Sequence, residues 1–109
     1  MLNMKKCNVL VVGKNEAIVE LLTKLVNKYP ELSAQGISQL DQIPHFCQKN
    51  PVDLLLFSSG LCSAEEKEIS DKVSQFHSSV KTLEHFGGGS GLLRTELNQA
   101  LGLTLAYPE

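Results

Sequence analysis

Apolar residues along the chain form short continuous runs that alternate with segments of helical periodicity. The first run, Cys7 to Val12, is rich in β-branched residues and is closed by Gly13, which predicts a buried strand. From Ile18 to Tyr29 the apolar residues recur every three or four positions, as they do in an amphipathic helix. Asn15 stands where it can cap this helix, and Pro30 stands where it can end it. The chain therefore opens with a strand followed by a helix.

Three further segments continue this alternation. Residues 32–38 predict a weaker strand near a sheet edge, because the segment is short and mixes polar residues with a glycine. Residues 39–50 predict a short helix, which tolerates Pro44 only in its first turn. The run from Val52 to Phe57 is apolar apart from Asp53 and predicts a buried strand. At the head of that strand, Asp53 fits a turn or cap group better than a catalytic acid.

The last part of the chain predicts two helices and one strand. Ser63 and Glu66 have the spacing of a capping box, so we expect a helix to open there. Its apolar face consists of Ile69, Val73 and Phe76. Residues 80–86 predict a fourth, shorter strand, and the block GGGSG at 87–91 turns the chain into a final helix that Gly102 ends.

Strand and helix thus alternate four times, which predicts a mostly parallel sheet covered by helices on both faces. The glycine block is too short for a domain linker, and the elements on either side of it both need burial. With a length of 109 residues, the chain suits one hydrophobic core and is too short for two. We expect residues 1–109 to form a single α/β domain.

Composition and charge exclude several classes of function. The formal net charge is −2 and the lysines are scattered, so there is no basic surplus to neutralise nucleic acid. No segment approaches the roughly 20 apolar residues that a membrane span requires. Cys7, Cys47 and Cys62 lack the paired spacing of a zinc or redox site, so we interpret them as buried thiols of a cytoplasmic protein. The three histidines, at 45, 77 and 85, likewise lack partners at ligand spacing, which predicts structural roles and no metal site.

Two segments, NVLVVGKNEAIVELLTKLV and NPVDLLLFSSGL, resemble the receiver domain of bacterial response regulators. The likeness covers about the first sixty residues well and the remainder loosely. It implies a flavodoxin-like three-layer α/β sandwich, here shortened to a mostly parallel sheet of four or five strands. In that family, acidic residues after the first strand hold magnesium, and an aspartate that ends the third strand accepts a phosphoryl group. Alignment by these strands places the acidic pair on Gly13 and Lys14 and the acceptor on Ser58.

Each replacement removes part of the phosphorylation chemistry. Magnesium requires oxygen ligands, which Gly13 and Lys14 lack, and the lysine also repels a cation. Ser58 has no carboxylate to attack a phosphodonor and no visible base to activate its hydroxyl. The resemblance therefore implies a degenerate receiver that is not an enzyme. We expect a regulatory domain that acts through contact with another signalling protein or through self-association, with no cofactor, nucleic acid or membrane.

The alternative is a small-ligand binding domain at the same edge of the sheet. The segments VDLLLFSSGL and LEHFGGGSG are similar to the serine and glycine loops of cobalamin-binding domains, although GKNEAI lacks that family's aspartate and histidine. Ligands of open parallel sheets bind beyond the carboxyl ends of the strands, where backbone amides, hydroxyls and one ammonium could hold a phosphate or another anion. The candidate residues for this recess are Lys14, Ser58, Ser59, Gly87, Gly88, Gly89 and Ser90.

Overall fold

The computed structural model describes residues 7–58, 60–85 and 89–102. Strands and helices alternate along these residues as the apolar pattern predicts. In chain order the elements are β1 (Cys7–Val12), α1 (Glu16–Asn27), β2 (Leu32–Ile37), a 3-10 turn (Leu40–Gln42), α2 (Ile43–Lys49), β3 (Leu54–Phe57), α3 (Ser63–Phe76), β4 (Lys81–Glu84) and α4 (Gly89–Leu101).

The four strands form one parallel sheet in the order β2-β1-β3-β4. In this register Val9 of β1 lies between Ala34 of β2 and Leu54 of β3, and Leu54 in turn lies beside Lys81 of β4. Strands β1 and β3 are central and are buried except for the first two residues of β1, whereas β2 and β4 form the two edges. The predicted α/β sandwich with a parallel sheet is confirmed, and four strands lie within the described residues.

Two hydrophobic clusters fill the space between the sheet and its helices. Because successive side chains of a strand point to opposite faces, Leu54 and Leu55 belong to different clusters. The first cluster joins the sheet to α1 and α4, where Leu93 and Leu97 are fully buried. The second cluster joins the opposite face to α2 and α3, through residues such as Ile69. Both faces of the sheet are thus buried, as the apolar strands predict.

Local side chains define the start of two elements. Asn15 Oδ1 accepts a hydrogen bond from the Ile18 amide at 3.1 Å, which confirms the predicted cap of α1. Strand β3 begins at Leu54, two residues later than predicted. The reason is that Asp53 turns its carboxylate to Asn8, whose backbone amide donates to Asp53 Oδ2 at 2.8 Å. This bond ties the start of β3 to β1 and supports the structural role predicted for Asp53.

The predicted start of α3 was wrong by one residue. The capping residue is Cys62, and its backbone amide donates to the side chain of Glu65 at 3.0 Å, so Ser63 is already helical. Cys62 is exposed and Cys7 is half-buried, so the expectation of a buried thiol was right only for Cys47. At the other end of the helix, Phe76 is 40% exposed and does not share the buried face of Val73. Helix α4 also differs from prediction, because it begins at Gly89, inside the glycine block.

Candidate functional site

Several of the predicted site residues lie together at the carboxyl end of the sheet, where the parallel strands finish. Gly13 directly follows β1, Ser58 follows β3 and His85 follows β4. The backbone amide of Ser58 donates to the Val12 carbonyl at 2.9 Å, and the amide of His85 donates to Phe57 at 2.9 Å. These bonds extend the parallel pairing past the strand ends and hold the three positions side by side.

Ser58 is completely buried at the carboxyl end of β3. Its hydroxyl donates to the carbonyl oxygen of Val12 at 3.1 Å, which satisfies the group inside the protein. The hydroxyl also occupies the space above Gly13, because a Cβ atom built on Gly13 would lie 1.8 Å from Ser58 Oγ. Gly13 and Ser58 therefore fit one another as a closed pair, and the hydroxyl does not line an open recess.

Lys14, the next residue after Gly13, forms an ion pair with Glu65, the third residue of α3, at 2.5 Å. The ammonium holds the pKa of Glu65 well below its usual range, at about 2, with further help from the Cys62 amide. The same contact raises the pKa of Lys14. Glu65 thus joins the loop after β1 to the start of α3, and an anion that approached Lys14 would compete with this carboxylate.

The structure describes only some of the other residues of the predicted anion recess. Ser59, Gly87 and Gly88 lie outside the described residues. Gly89 and Ser90 are the first two residues of α4. The structure therefore places Ser58 and Lys14 at the carboxyl end of the sheet, and each of them has a partner within the protein.

His85, which is buried, and Glu96, which is half-buried, form a pair that the sequence patterns did not identify. His85 is 5% exposed, and its Nδ1 lies 2.5 Å from Glu96 Oε1 on α4. The pair ties the end of β4 to the middle of α4. An acid between Leu93 and Leu97 of an apolar helix face was the available signal, but its partner depends on how α4 packs on the sheet.

A second carboxyl group, that of Glu66, was also assigned wrongly from sequence. It takes no part in the cap of α3 and instead forms a hydrogen bond with the side chain of Glu84 on β4. This bond, followed by desolvation, raises the pKa of Glu66 to about 7, since one of the two carboxyls must carry a proton in order to donate. The pair lies in a recess of about 520 Å³ between α3 and β4.

Neither metal binding nor a membrane span finds support in the part of the chain that the structure describes. Across residues 7–58, 60–85 and 89–102 there is no cluster of three or more histidine, cysteine, aspartate or glutamate residues that could hold a metal ion. Among the same residues no helix combines the length and the apolar character needed to cross a membrane.

Comparisons with known proteins find likeness in structure but none in sequence. No protein-family model matches the chain, and no curated protein matches it. The signal receiver domain of an HD domain-containing protein from Pseudomonas fluorescens Pf-5 superimposes with a TM-score of 0.73 at 16% identity. That match covers 90% of this chain and 96% of the receiver domain.

Two further solved structures show the same fold. A response regulator receiver protein from Pseudomonas putida has a TM-score of 0.61 at 11% identity, over 88% of this chain and 80% of its own. The pilus assembly protein CpaE from Caulobacter crescentus CB15 has a TM-score of 0.53 at 12% identity, over 86% of this chain and 76% of its own. The chain therefore has the flavodoxin-like fold of response-regulator receiver domains.

Proposed function

We propose that this chain is a regulatory signalling domain that acts through protein contact and accepts no phosphoryl group. It works in the cytoplasm, where its free thiols stay reduced. The observation that carries the proposal is the state of Ser58, the residue that alignment by the strands matches with the phosphoryl acceptor of receiver domains. Its hydroxyl is buried, and its proton is engaged by the Val12 carbonyl. A phosphodonor cannot reach it without opening the end of the sheet.

The neighbouring residues support the same conclusion. Transfer to a carboxylate acceptor depends on magnesium, which neutralises the charge of the phosphoryl group and is held by oxygen ligands. Gly13 offers no side chain, and the contact with Ser58 Oγ leaves no space for one. Lys14 brings a positive charge, which Glu65 already neutralises. These residues are buried or paired with one another at the carboxyl end of the sheet. Phosphorylation of a receiver requires accessible acidic residues at that place.

Phosphotransfer can be tested directly on the intact chain. We expect no change in mass after incubation with acetyl phosphate and magnesium chloride, because the acceptor carboxylate and the magnesium ligands are missing. A receiver domain that retains its acceptor aspartate serves as the positive control in the same reaction. Intact-mass spectrometry reads the result, and a magnesium-dependent phosphoryl adduct on this chain would overturn the proposal.

A further inference from the structure

The outer edge of β4 carries backbone groups that the described residues leave without a strand partner. Lys81 donates its amide to Asp53 at 3.1 Å and His85 donates its amide to Phe57 at 2.9 Å, so these residues face β3. Backbone groups alternate in direction along a strand, so the amides and carbonyls of Thr82 and Glu84 point outward. Both residues are exposed. Such an edge is a template for an added strand.

At the opposite edge of the sheet, on β2, outward backbone groups do have a partner within the chain. On β2, Ala34 directs its backbone groups outward, and the side chain of Asn27 binds both of them. The Ala34 amide donates to Asn27 Oδ1 at 2.7 Å, and Asn27 Nδ2 donates to the Ala34 carbonyl at 3.1 Å. Asn27 thus takes the place of a neighbouring strand on β2. Among the described residues, no side chain does the same for β4.

The topology also disfavours a further parallel strand of the same chain at this edge. Helix α4 packs on the face of the sheet that α1 covers, whereas α3 packs on the other face. A parallel strand that followed α4 and paired with the outer side of β4 would require a left-handed crossover. Only about 2% of such connections are left-handed. The handedness of the connections therefore disfavours a parallel strand of the same chain at this edge.

The recess beside this edge selects for positive charge. Glu66 on α3 and Glu84 on β4 bring two carboxyls together there. The recess also contains Lys67, but its ammonium binds Asp71 at 3.2 Å on the exposed side of α3. The remaining lining residues carry no charge and are Phe57, Ser63, Ser70, Thr82 and Leu83. A lysine or arginine side chain would replace the shared proton with two ion pairs.

We propose that the outer edge of β4 binds an extended segment of a partner protein, with a lysine or arginine of that segment placed between Glu66 and Glu84. The segment adds a strand to the sheet through the backbone groups of Thr82 and Glu84. This inference deepens the proposed function, on which it rests, by naming the surface used for protein contact and the chemistry of the partner.

A second copy of this chain fits the edge less well. Two β4 edges can pair antiparallel about a two-fold axis perpendicular to the sheet, and such an axis keeps each face on its own side. Both copies would then place Glu66 and Glu84 on the same face near the axis. Four carboxyls would gather there, and like charges that face each other across paired strands are destabilising.

The experiment uses the full ¹⁵N-labelled chain and an acetylated eight-residue peptide of alternating lysine and valine. At pH 8 we expect the peptide to shift the amide resonances of Thr82, Leu83 and Glu84. The double variant E66Q/E84Q should bind the peptide at least tenfold more weakly. The matched control E20Q/E68Q removes two carboxylates from exposed helix positions and should bind as the wild type does. Affinity should also rise between pH 5.5 and pH 8, as Glu66 loses its proton.

Two altered peptides separate the backbone contribution from the charge contribution. A peptide with glutamate in place of lysine should not bind, because it adds negative charge to the recess. A lysine peptide that is N-methylated at every residue should not bind either, because neither of its edges can donate hydrogen bonds to β4. Binding by either altered peptide, unchanged affinity of E66Q/E84Q, or no shift in β4 would overturn the inference. So would a dimer in sedimentation that Thr82→Pro abolishes, since a second copy would then be the occupant.

These failures differ from a failure of the proposed function. Absence of peptide binding, with an unchanged mass after acetyl phosphate, overturns the β4 surface alone. A magnesium-dependent phosphoryl adduct overturns the proposed function, whatever the peptide does.

Discussion

At the scale of single residues, Gly13 and Ser58 pack directly against each other. They lie 45 residues apart in sequence, yet the hydroxyl of Ser58 fills the space that a side chain on Gly13 would need. The same hydroxyl donates to Val12, so it serves both packing and hydrogen bonding. The effect of a substitution at one position on the free energy of unfolding should therefore depend on the residue at the other.

A double-mutant cycle measures this dependence. We expect Gly13→Ala to lower the free energy of unfolding by about 1–3 kcal/mol, because the new methyl group meets Ser58 Oγ in a packed site. Ser58→Ala should cost about 0.5–1.5 kcal/mol through loss of its hydrogen bond. The double variant should cost less than the sum, since removal of the hydroxyl makes room for the methyl group. Strictly additive values in urea denaturation would contradict the contact.

Glu65 shows how one carboxylate can carry both a local and a distant contact. Its pKa lies near 2 in the folded protein and near 4.5 ordinarily, so the ionised form is the one that the fold favours. The resulting stability is fully present above pH 4.5 and is lost as the pH falls through 2. We expect Glu65→Gln to be less stable than the wild type at pH 7 and to approach it near pH 2.

Urea denaturation at a series of pH values gives the measurement. Glu68→Gln is the matched control, because Glu68 belongs to the same helix and binds only the exposed Lys72 across one turn. Its effect should be smaller at pH 7. A loss for Glu65→Gln that stayed constant from pH 7 to pH 2 would mean that the charge of Glu65 does not stabilise the fold.

At the scale of elements, α4 is joined to the sheet by apolar packing and by a polar pair whose histidine is buried. Leu93 and Leu97 supply the apolar contact, and Glu96 binds His85 at the end of β4. Because His85 is buried, the loss of Glu96 leaves a ring nitrogen in a poorly hydrated site. The pair therefore matters for how firmly α4 stays docked.

Glu96→Ala should lower the free energy of unfolding by about 1–3 kcal/mol, because it removes the partner of a buried polar group. Amide hydrogen exchange should increase more in α4 than in α1. Gln99→Ala, an exposed change on the same helix, should stay within about 0.5 kcal/mol of the wild type. Equal losses for the two variants would show that the contact with His85 contributes nothing.

At the scale of the whole molecule, one sheet supports two hydrophobic clusters, so both should unfold together. We expect Leu54→Ala and Leu55→Ala each to cost about 2–5 kcal/mol, although their side chains belong to opposite faces. Circular dichroism and the fluorescence of buried Tyr29 should then report one shared transition. Leu21→Ala is the control, because Leu21 is 57% exposed. Separate transitions for the two leucine variants would mean that the clusters unfold independently.

The order of strands and helices, and the bounds of some of them, followed from the sequence by itself. Strand β1 and the cap of α1 lie where the local pattern predicts them, because apolar periodicity and capping act over only a few residues. The parallel arrangement followed as well, since strands that alternate with helices need crossover connections. Where the sequence prediction failed, as at the start of α3, the competing signal was one residue away and carried a thiol in place of the usual hydroxyl.

Only the tertiary structure decided which side chains meet at the carboxyl end of the sheet. The contacts of Ser58 with Val12, of Lys14 with Glu65 and of His85 with Glu96 join residues that no local pattern relates. Each contact depends on strand register and on the face that a helix covers, and these are set by the packing of the entire core. For that reason the sequence could show that a serine follows the third strand, whereas the fold was needed to show that its hydroxyl is buried against Gly13 and bonded to Val12.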